Sequence, residues 1–330
     1  MKKYKIAVCG ASGMVGNMML KVLEERNFPI ETLKVLSSKK SAGKEILFQG
    51  KPYLLEELNE HSFDEKIDIA LFSAGGSVSE KFAPIAAEHG CVVVDNSSQF
   101  RMEETVPLVV PEVNPEDIKK HKGIIANPNC STIQSVLPLK PLYDKYGIKR
   151  VIYTTYQAVS GAGMAGYNDL KNGVNGEEPK KFDYPIAFNL IPQIDSFLEN
   201  GYTKEEMKMI NETRKILHDD RIQITATTVR VPVFNSHSVA INVELEKDFD
   251  LDEVKKLFQD YEGIVLLDDI EQKKYPMPIL ADGKDEVFVG RIRRDFSQAN
   301  TLNFFSVADN IRKGAATNAV QIAEKLIAFL

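Results

Sequence analysis

The sequence predicts an α/β protein of two domains. The first is Rossmann-like, a parallel sheet with helices on both faces. The second is α+β, with a mixed, largely antiparallel sheet. Three observations carry this. The first third of the chain alternates short apolar strands with helical patterns, which implies parallel βαβ units. A glycine-rich turn, Gly10-Ala11-Ser12-Gly13-Met14-Val15-Gly16, lies between the first strand and the first helix. After about Lys149 the runs become longer and rich in β-branched residues, as in an antiparallel sheet. A length of 330 residues suits two domains, placed at 1–130 and 131–309, with a C-terminal helix over 310–330.

The elements follow in order. Tyr4–Cys9 is an apolar strand, and 14–25 is helical with Val15, Met18, Met19 and Val22 on one face. Residues 33–36 and 67–72 are strands, the latter running into Ala74-Gly75-Gly76. Residues 79–89 form a helix closed by Gly90. Residues 92–94 and 124–126 are further strands. In the second half, 151–155, 223–233 and 238–245 read as strands. The polar stretch 172–184 reads as a surface loop, 203–218 as a charged helix, and 309–330 as a helix with an alanine-rich apolar face.

The glycine turn has a chemical meaning. Glycines let the backbone approach a pyrophosphate, and a helix N-terminus offers it free N–H groups. This points to a dinucleotide held by Gly10, Ser12, Gly13, Met14, Val15 and Gly16. An NAD site usually carries a carboxylate about 20 residues further on. Here that place reads Ser37-Ser38-Lys39-Lys40-Ser41. Hydroxyls and ammonium groups at Ser38, Lys40 and Ser41 suit a 2′-phosphate, so NADP is favoured over NAD. An exposed basic loop is the alternative.

Composition narrows the function. A net charge of −6 argues against nucleic acid or an anionic membrane as the main partner. Three cysteines without close pairs argue against a disulfide framework or a metal site and favour a reducing, cytoplasmic setting. Residues 6–20 follow Lys2-Lys3 and superficially resemble a secretory signal, but a phosphate turn explains their glycines and a signal does not. No stretch is long and apolar enough to span a bilayer.

One cysteine stands apart. Cys130 lies in Asn127-Pro128-Asn129-Cys130-Ser131-Thr132, between a strand and a helical pattern. A thiol at a helix N-terminus is biased toward the nucleophilic thiolate. Cys9 and Cys91 lie in apolar strands, where cysteine is an inert small hydrophobe. His237 is the only histidine in a strand-like region and suits proton transfer near neutral pH. Four groups could hold an anionic substrate. Arg101 ends a polar loop after a buried strand. Arg230 stands in an apolar strand, where an unpaired guanidinium is costly. Glu205 and Lys208 share a helix face at i, i+3 spacing, which is equally the spacing of a solvated ion pair.

In combination these residues resemble the aspartate-semialdehyde dehydrogenases. The matching stretches are the glycine turn, Asn96-Ser97-Ser98-Gln99-Phe100-Arg101, the Cys130 motif and Gln157-Ala158-Val159-Ser160-Gly161-Ala162-Gly163. Further matches are Phe188-Asn189-Leu190-Ile191-Pro192-Gln193-Ile194-Asp195, Glu205-Glu206-Met207-Lys208, Arg230 with His237, and Arg312-Lys313-Gly314-Ala315-Ala316 with residues 318–324. They span nearly the whole chain. Met164 replaces an expected lysine. The resemblance implies that Cys130 is the acyl-accepting nucleophile, His237 the acid/base, and Gln157 an orienting group for the acyl intermediate. It implies phosphate contacts from Arg101, Lys208 and Asn129. Arg230 would meet the substrate α-carboxylate and Glu205 its α-ammonium. Ser160, Gly161 and Asn310 would lie near the nicotinamide of NADP. The implied reaction interconverts aspartyl phosphate plus NADPH with aspartate semialdehyde, inorganic phosphate and NADP through a cysteine thioester, a step toward lysine (by way of diaminopimelate), methionine and threonine. The resemblance also implies a homodimer or tetramer, and a last helix that returns to the first domain. Three alternatives stay open: N-acetyl-γ-glutamyl-phosphate reductase, a Cys–His thioester hydrolase, and a non-catalytic dinucleotide sensor.

Overall fold

The structure is a computed structural model and describes residues 2–329. The chain divides into two compact units, Met1–Pro128 with Ala315–Leu330, and Asn129–Gly314.

In the first unit, β1 (Tyr4–Cys9) turns at the glycines into α1 (Met14–Glu25) and returns as β2 (Ile30–Ser37). A small hairpin, β3 (Glu45–Phe48) and β4 (Lys51–Leu54), precedes the short β5 (Glu56–Glu57). Then come β6 (Ile69–Phe72), α2 (Gly76–Glu88), β7 (Val92–Asp95) and β8 (Ile124–Ala126). The main sheet is wholly parallel in the order β5-β2-β1-β6-β7-β8. This is a doubly wound sheet, whose order reverses beside β1. Its central strands β1, β6 and β7 are mostly buried and apolar because both faces are covered.

The second unit opens on α3 (Cys130–Tyr146), followed by β9 (Ile148–Gln157), α4 (Gly163–Gly173) and α5 (Lys204–Leu217). Next come β10 (Gln223–Arg230), β11 (His237–Leu245), α6 (Leu251–Gln259) and β12 (Ile264–Leu266), then α7 (Pro278–Ala281), β13 (Val287–Arg294) and β14 (Thr301–Ala308). Its sheet runs β10-β9-β11-β14-β13-β12. The two end pairs, β10 with β9 and β12 with β13, are parallel, and the three pairs between are antiparallel.

A π-helical turn, Arg312–Ala316, carries the chain back into the first unit, where α8 (Thr317–Ile327) adds Ala319, Val320, Ile322, Ala323 and Leu326 to the core around β1 and β6.

Several boundaries differ from the sequence reading. The second unit begins at Asn129 rather than after residue 130, because Asn129 caps α3 and starts that unit's first helix. It ends at Gly314 rather than 309. The C-terminal helix over 309–330 begins only at Thr317, since the preceding turn has i→i+5 geometry, with Gly314 N–H donating to Asp309 O at 3.0 Å. Residue 330 lies outside the described residues. Lastly, Asn172 and Gly173, read as loop, belong to α4.

Candidate active site

Three features build the glycine turn. Gly10 has φ +84°, a conformation open mainly to glycine. A Cβ on Gly10 would lie 2.4 Å from Ser73 O, and one on Gly16 would lie 2.1 Å from Gly10 O, so neither tolerates a side chain. Gly13 N–H closes the turn on Gly10 O at 2.9 Å. Beside it lies a cavity of about 310 Å³ walled by Gly10, Ser12, Gly13, Ser37, Ser38 and Ser73 among others. A groove at the carboxyl ends of β1, β2 and β6, with backbone held bare by glycine, fits a dinucleotide. Met14, Val15 and Gly16 form the first turn of α1. Ser38 reaches the cavity wall, whereas Lys40 is exposed and Ser41 half-buried in the following turn.

In the same unit, Arg101 is buried in the loop after β7. Its Nε donates to Asn127 O and its Nη2 to Asn96 O, both at 2.9 Å. Asp95, at the end of β7, braces that loop by accepting from Ser79 Oγ at 2.7 Å and Ser97 Oγ at 2.6 Å.

The remaining predicted residues fall in the second unit. Asn129 caps α3, its Oδ1 accepting from Ser131 N–H (2.9 Å) and Thr132 N–H (3.2 Å). Cys130 follows at the first helical position, half-buried, in the field of the helix N-terminus. Pro138 has no N–H to offer the carbonyl of Gln134, four residues back. That oxygen accepts instead from Ser306 Oγ at 2.9 Å, which ties α3 to β14. Gln134 Nε2 donates to His237 O at 3.2 Å, tying the Cys130 helix to the start of β11.

Three strand ends meet here. Gln157 ends β9 in register with Arg230 at the end of β10, and His237 begins β11 on the other side of β9. His237 is fully buried; its Nδ1 accepts the Ala158 N–H at 3.0 Å, and its Nε2 has no partner among the described residues. Arg230 Nη1 donates to the carbonyl of the same Ala158 at 2.7 Å. Burial, and then the Arg230 charge, hold the His237 imidazole well below its ordinary pKa. Burial lowers Arg230 as well, against the opposing pull of Glu205 and Cys130.

Glu205 is buried on α5. Its Oε1 accepts from Asn129 Nδ2 (2.9 Å) and Gln157 Nε2 (3.2 Å), and its Oε2 accepts from Lys208 Nζ (3.2 Å). Burial pushes this carboxyl up, but Lys208 and the two amide donors outweigh it and hold it below the usual range. Lys208 also donates to Asp195 at 2.9 Å. Glu205, Lys208, Arg230 and Gly161 line a cavity of about 620 Å³, together with Phe182 and Ile191.

Ser160 and Asn310 are buried and hydrogen-bonded to each other, and Asn310 Oδ1 accepts the N–H of Ser236. Ser236 sits at φ 70° immediately before His237, so Asn310 steadies a strained turn ahead of the imidazole. Gly161 leaves room beside Arg230 and His237; a Cβ there would lie 2.9 Å from Arg230 Nη1.

Sequence reasoning missed three residues of this site. Glu212 is buried and accepts the Asn129 N–H at 2.7 Å. Gln134 links Cys130's helix to His237. Gly314 backs Cys130, whose Cβ would lie 2.8 Å from any Cβ placed there. The i, i+7 spacing of Glu205 and Glu212 on one helix was the only available signal for the first; Gly314 lay in a stretch that carries the resemblance but was given no role, and nothing marked Gln134. Cys9 ends β1 and Cys91 immediately precedes β7; both are buried, and burial pushes Cys9 well up and Cys91 up to about 12. Among the described residues no group of three or more His, Cys, Asp or Glu could hold a metal ion, and no helix is long and apolar enough to cross a membrane.

A doubly wound sheet with a glycine phosphate turn, on one chain with a helix-start thiol and a buried imidazole, defines a dinucleotide-dependent oxidoreductase. Comparison with known proteins narrows the class. The family model "Semialdehyde dehydrogenase, NAD binding domain" matches residues 5–121, and "Semialdehyde dehydrogenase, dimerisation domain" matches residues 139–313. An aspartate-semialdehyde dehydrogenase of Aquifex aeolicus is 56% identical over 98% of each chain. The crystal structure of aspartate semialdehyde dehydrogenase II complexed with ASA from Vibrio cholerae superposes with a TM-score of 0.95 at 50% identity, covering 99% of both chains. The enzyme of Candida albicans with NADP does so at 0.80 and 27% identity, covering 99% of both chains. The chain belongs to the aspartate-semialdehyde dehydrogenase family.

Proposed function

We propose that the protein interconverts aspartate 4-semialdehyde, phosphate and NADP with aspartyl 4-phosphate and NADPH through a thioester on Cys130. The observation that carries this reading is the capped start of α3. There one asparagine holds Ser131 and Thr132 N–H groups, hands its own side-chain donor to Glu205, and precedes the one cysteine that is not fully buried.

An aldehyde gives up hydride poorly, and a thiolate adduct gives it up readily. Cys130 supplies that thiolate, and His237 attends the oxygen of the reacting carbon. Gln157 orients the acyl group. Arg230 meets the α-carboxylate, and Glu205 meets the α-ammonium while holding Asn129 and Gln157 in place. Lys208, Asn129 and Arg101 take phosphate. The ionised carboxylate of Glu205 favours an ammonium over the neutral acetylated amine of N-acetyl-glutamate semialdehyde. When bound, the dinucleotide supplies the hydride acceptor. The residues to hold it are Gly10 to Gly16, with Ser38, Lys40 and Ser41 reading its 2′-phosphate and Ser160, Gly161 and Asn310 serving its nicotinamide end. Support for NADP is the lack of a carboxylate in 37–41 and the NADP complex of the Candida albicans relative.

The reductive direction serves lysine, methionine and threonine synthesis in the cytoplasm. Support for a homodimer is the dimerisation-domain match and the partly apolar sheet face with Ile152, Tyr156 and Phe305 around a cavity of about 610 Å³. A tetramer is the next possible assembly.

The deciding assay is phosphate-dependent NADP reduction with aspartate semialdehyde and with N-acetyl-glutamate semialdehyde, repeated with NAD. Only the first substrate should turn over well, with NADP preferred by at least about tenfold in kcat/KM, on the order of 1.4 kcal/mol. Cys130→Ser should nearly abolish turnover yet bind NADP normally. A variant that kept most of its activity would end the covalent reading.

A further inference from the structure

The polar stretch that follows α4 reaches the Arg230 side chain. Asp169, buried on α4, accepts three consecutive backbone N–H groups: Lys180 at 3.0 Å, Lys181 at 2.7 Å and Phe182 at 3.0 Å. A charged acceptor makes stronger hydrogen bonds than a neutral one, so this carboxylate fixes the backbone there firmly. Phe182 then packs against Val159, Leu170 and Ile186. Its ring has room because α4 carries Gly166, where a Cβ would lie 3.1 Å from the ring tip, Cζ.

Held in this way, the ring meets Arg230. The guanidinium carbon lies over the ring, 5.9 Å from its centroid, within reach of a cation–π contact. Two other restraints act on the same arginine. Its backbone is pinned by Ile191: Arg230 N–H donates to Ile191 O at 2.8 Å, and Arg230 O accepts from Ile191 N–H at 3.0 Å. Its Nη1 is tied to Ala158 O at 2.7 Å. What stays open is Nε, buried and without a partner among the described residues. A buried donor of that kind is built to meet an acceptor on a ligand. Phe182, Ile191 and Arg230 all line the cavity that Glu205 and Lys208 also border.

We infer that Phe182, held from behind by Asp169, is a positioning residue for Arg230 and sets how tightly that arginine grips the substrate carboxylate. This deepens the proposed function and rests on it, since that reading gives Arg230 the α-carboxylate. A guanidinium at the end of a long side chain rocks about its last bonds. A ring over one face limits the rocking, so less freedom is lost when the planar fork meets two carboxylate oxygens. The carboxylate is remote from the reacting carbon. Its grip is therefore felt alike in the ground and transition states, and its loss raises KM while kcat holds.

The test starts with F182L, which keeps apolar bulk and removes the ring face. It should raise KM for aspartate semialdehyde at least about fivefold, the scale of one desolvated cation–π contact, with kcat and KM for phosphate within about twofold of wild type. D169A should show the same selective pattern. An unchanged semialdehyde KM in F182L, or equal rises for semialdehyde and phosphate, would overturn the inference. Should F182L fail to fold, pentafluorophenylalanine at position 182 decides, because it keeps the ring's shape and reverses the charge of its face; an unchanged KM there is the overturning result. In an R230K background, F182L should add less than about twofold, since the two act through one contact. The same fold-loss in both backgrounds would place the action of Phe182 elsewhere and overturn the inference. A further readout needs no turnover and decides should R230K be too slow to assay. In protein with ¹⁵N-labelled arginine, the Nε–H signal absent from R230K should shift in F182L and in D169A as the ring leaves it. An unmoved signal in F182L would overturn the inference, and one unmoved in D169A would remove Asp169 from it. A wild type inactive on aspartate semialdehyde would overturn the proposed function, while the arginine signal would still decide whether Phe182 holds Arg230.

Discussion

At the scale of single residues, the proposed function gives two arginines separate anion-binding tasks. Arg230 and Arg101 are each anchored by backbone carbonyls, which orient a planar guanidinium as they could not orient a lysine. Arg230→Lys should therefore raise KM or lower kcat for the semialdehyde while hardly changing KM for phosphate. Arg101→Lys should weaken phosphate saturation most. Steady-state kinetics with each substrate varied would reveal the split, and equal effects of both variants on both substrates would refute the assignments. Gly314 is a sharper case. Its missing side chain is the space against which Cys130 packs, with Cβ contact at 2.8 Å if alanine stood there. Gly314→Ala should displace the thiol and cut kcat by at least about tenfold, about 1.4 kcal/mol of barrier. Cys130 alkylation should slow in parallel while dinucleotide binding is retained. Cys130, His237 and Arg230 were legible in the sequence because each is chemically unusual for its local pattern. Gly314 and Gln134 were not. Their partners lie 184 and 103 positions away, and nothing local distinguishes them.

At the scale of elements, α5 does more than carry Glu205 and Lys208. A capping box starts it: Thr203 Oγ1 accepts the Glu206 N–H, and Glu206 Oε2 accepts the Thr203 N–H. Glu206 Oε1 also accepts from Thr228 N–H, joining the helix to β10. Two turns on, Glu212 reaches the backbone of Asn129. The helix is thus the splint on which the start of α3 is set. Glu212→Ala would leave a buried N–H unsatisfied, a cost of about 1–3 kcal/mol. Denaturation should show that loss together with slower Cys130 alkylation. Glu212→Gln, which keeps an oxygen acceptor, should recover most of both; no difference between the two variants would dismiss the splint. The helix α4 shows the converse, an element the sequence reading did not identify. Its glycines at 163, 166 and 173 weaken helical propensity. Tertiary contacts outweigh that: Leu170 packs with Val159 and Ile186, and the Asp169 carboxylate accepts the N–H groups of Lys180, Lys181 and Phe182.

At the scale of the whole molecule, the chain completes its first unit with its last helix. Val320, Ile322 and Leu326 are almost fully buried in the β1–β6 core, and Asn318 Nδ2 donates to Val109 O at 3.0 Å and Asn127 Oδ1 at 2.7 Å. Three large apolar side chains at about 1.5–3 kcal/mol each approach the total stability of a typical domain, about 5–15 kcal/mol. Truncation after Gly314 should therefore abolish dinucleotide binding and the cooperative unfolding of the first unit. A truncated protein that still bound NADPH with near-normal affinity would show that α8 is dispensable.

The sequence by itself determined what depends on neighbours along the chain. Period, turn chemistry and caps are local, so β1, α1 and β8 fall where the pattern places them, and the glycine turn and the Cys130 helix start could be read directly. It also singled out the side chains proposed as reactive, because a thiol, an imidazole and a guanidinium in apolar or strand-end settings are costly unless used. The tertiary structure decided what depends on pairing across distance: which strand ends meet, which carboxylate holds which amide, and which donor the Nδ1 of His237 meets. That last point turns on the Ala158 N–H, 79 positions away in the chain. The hydrogen bond at one ring nitrogen orients the other, and only the folded chain brings that donor into place.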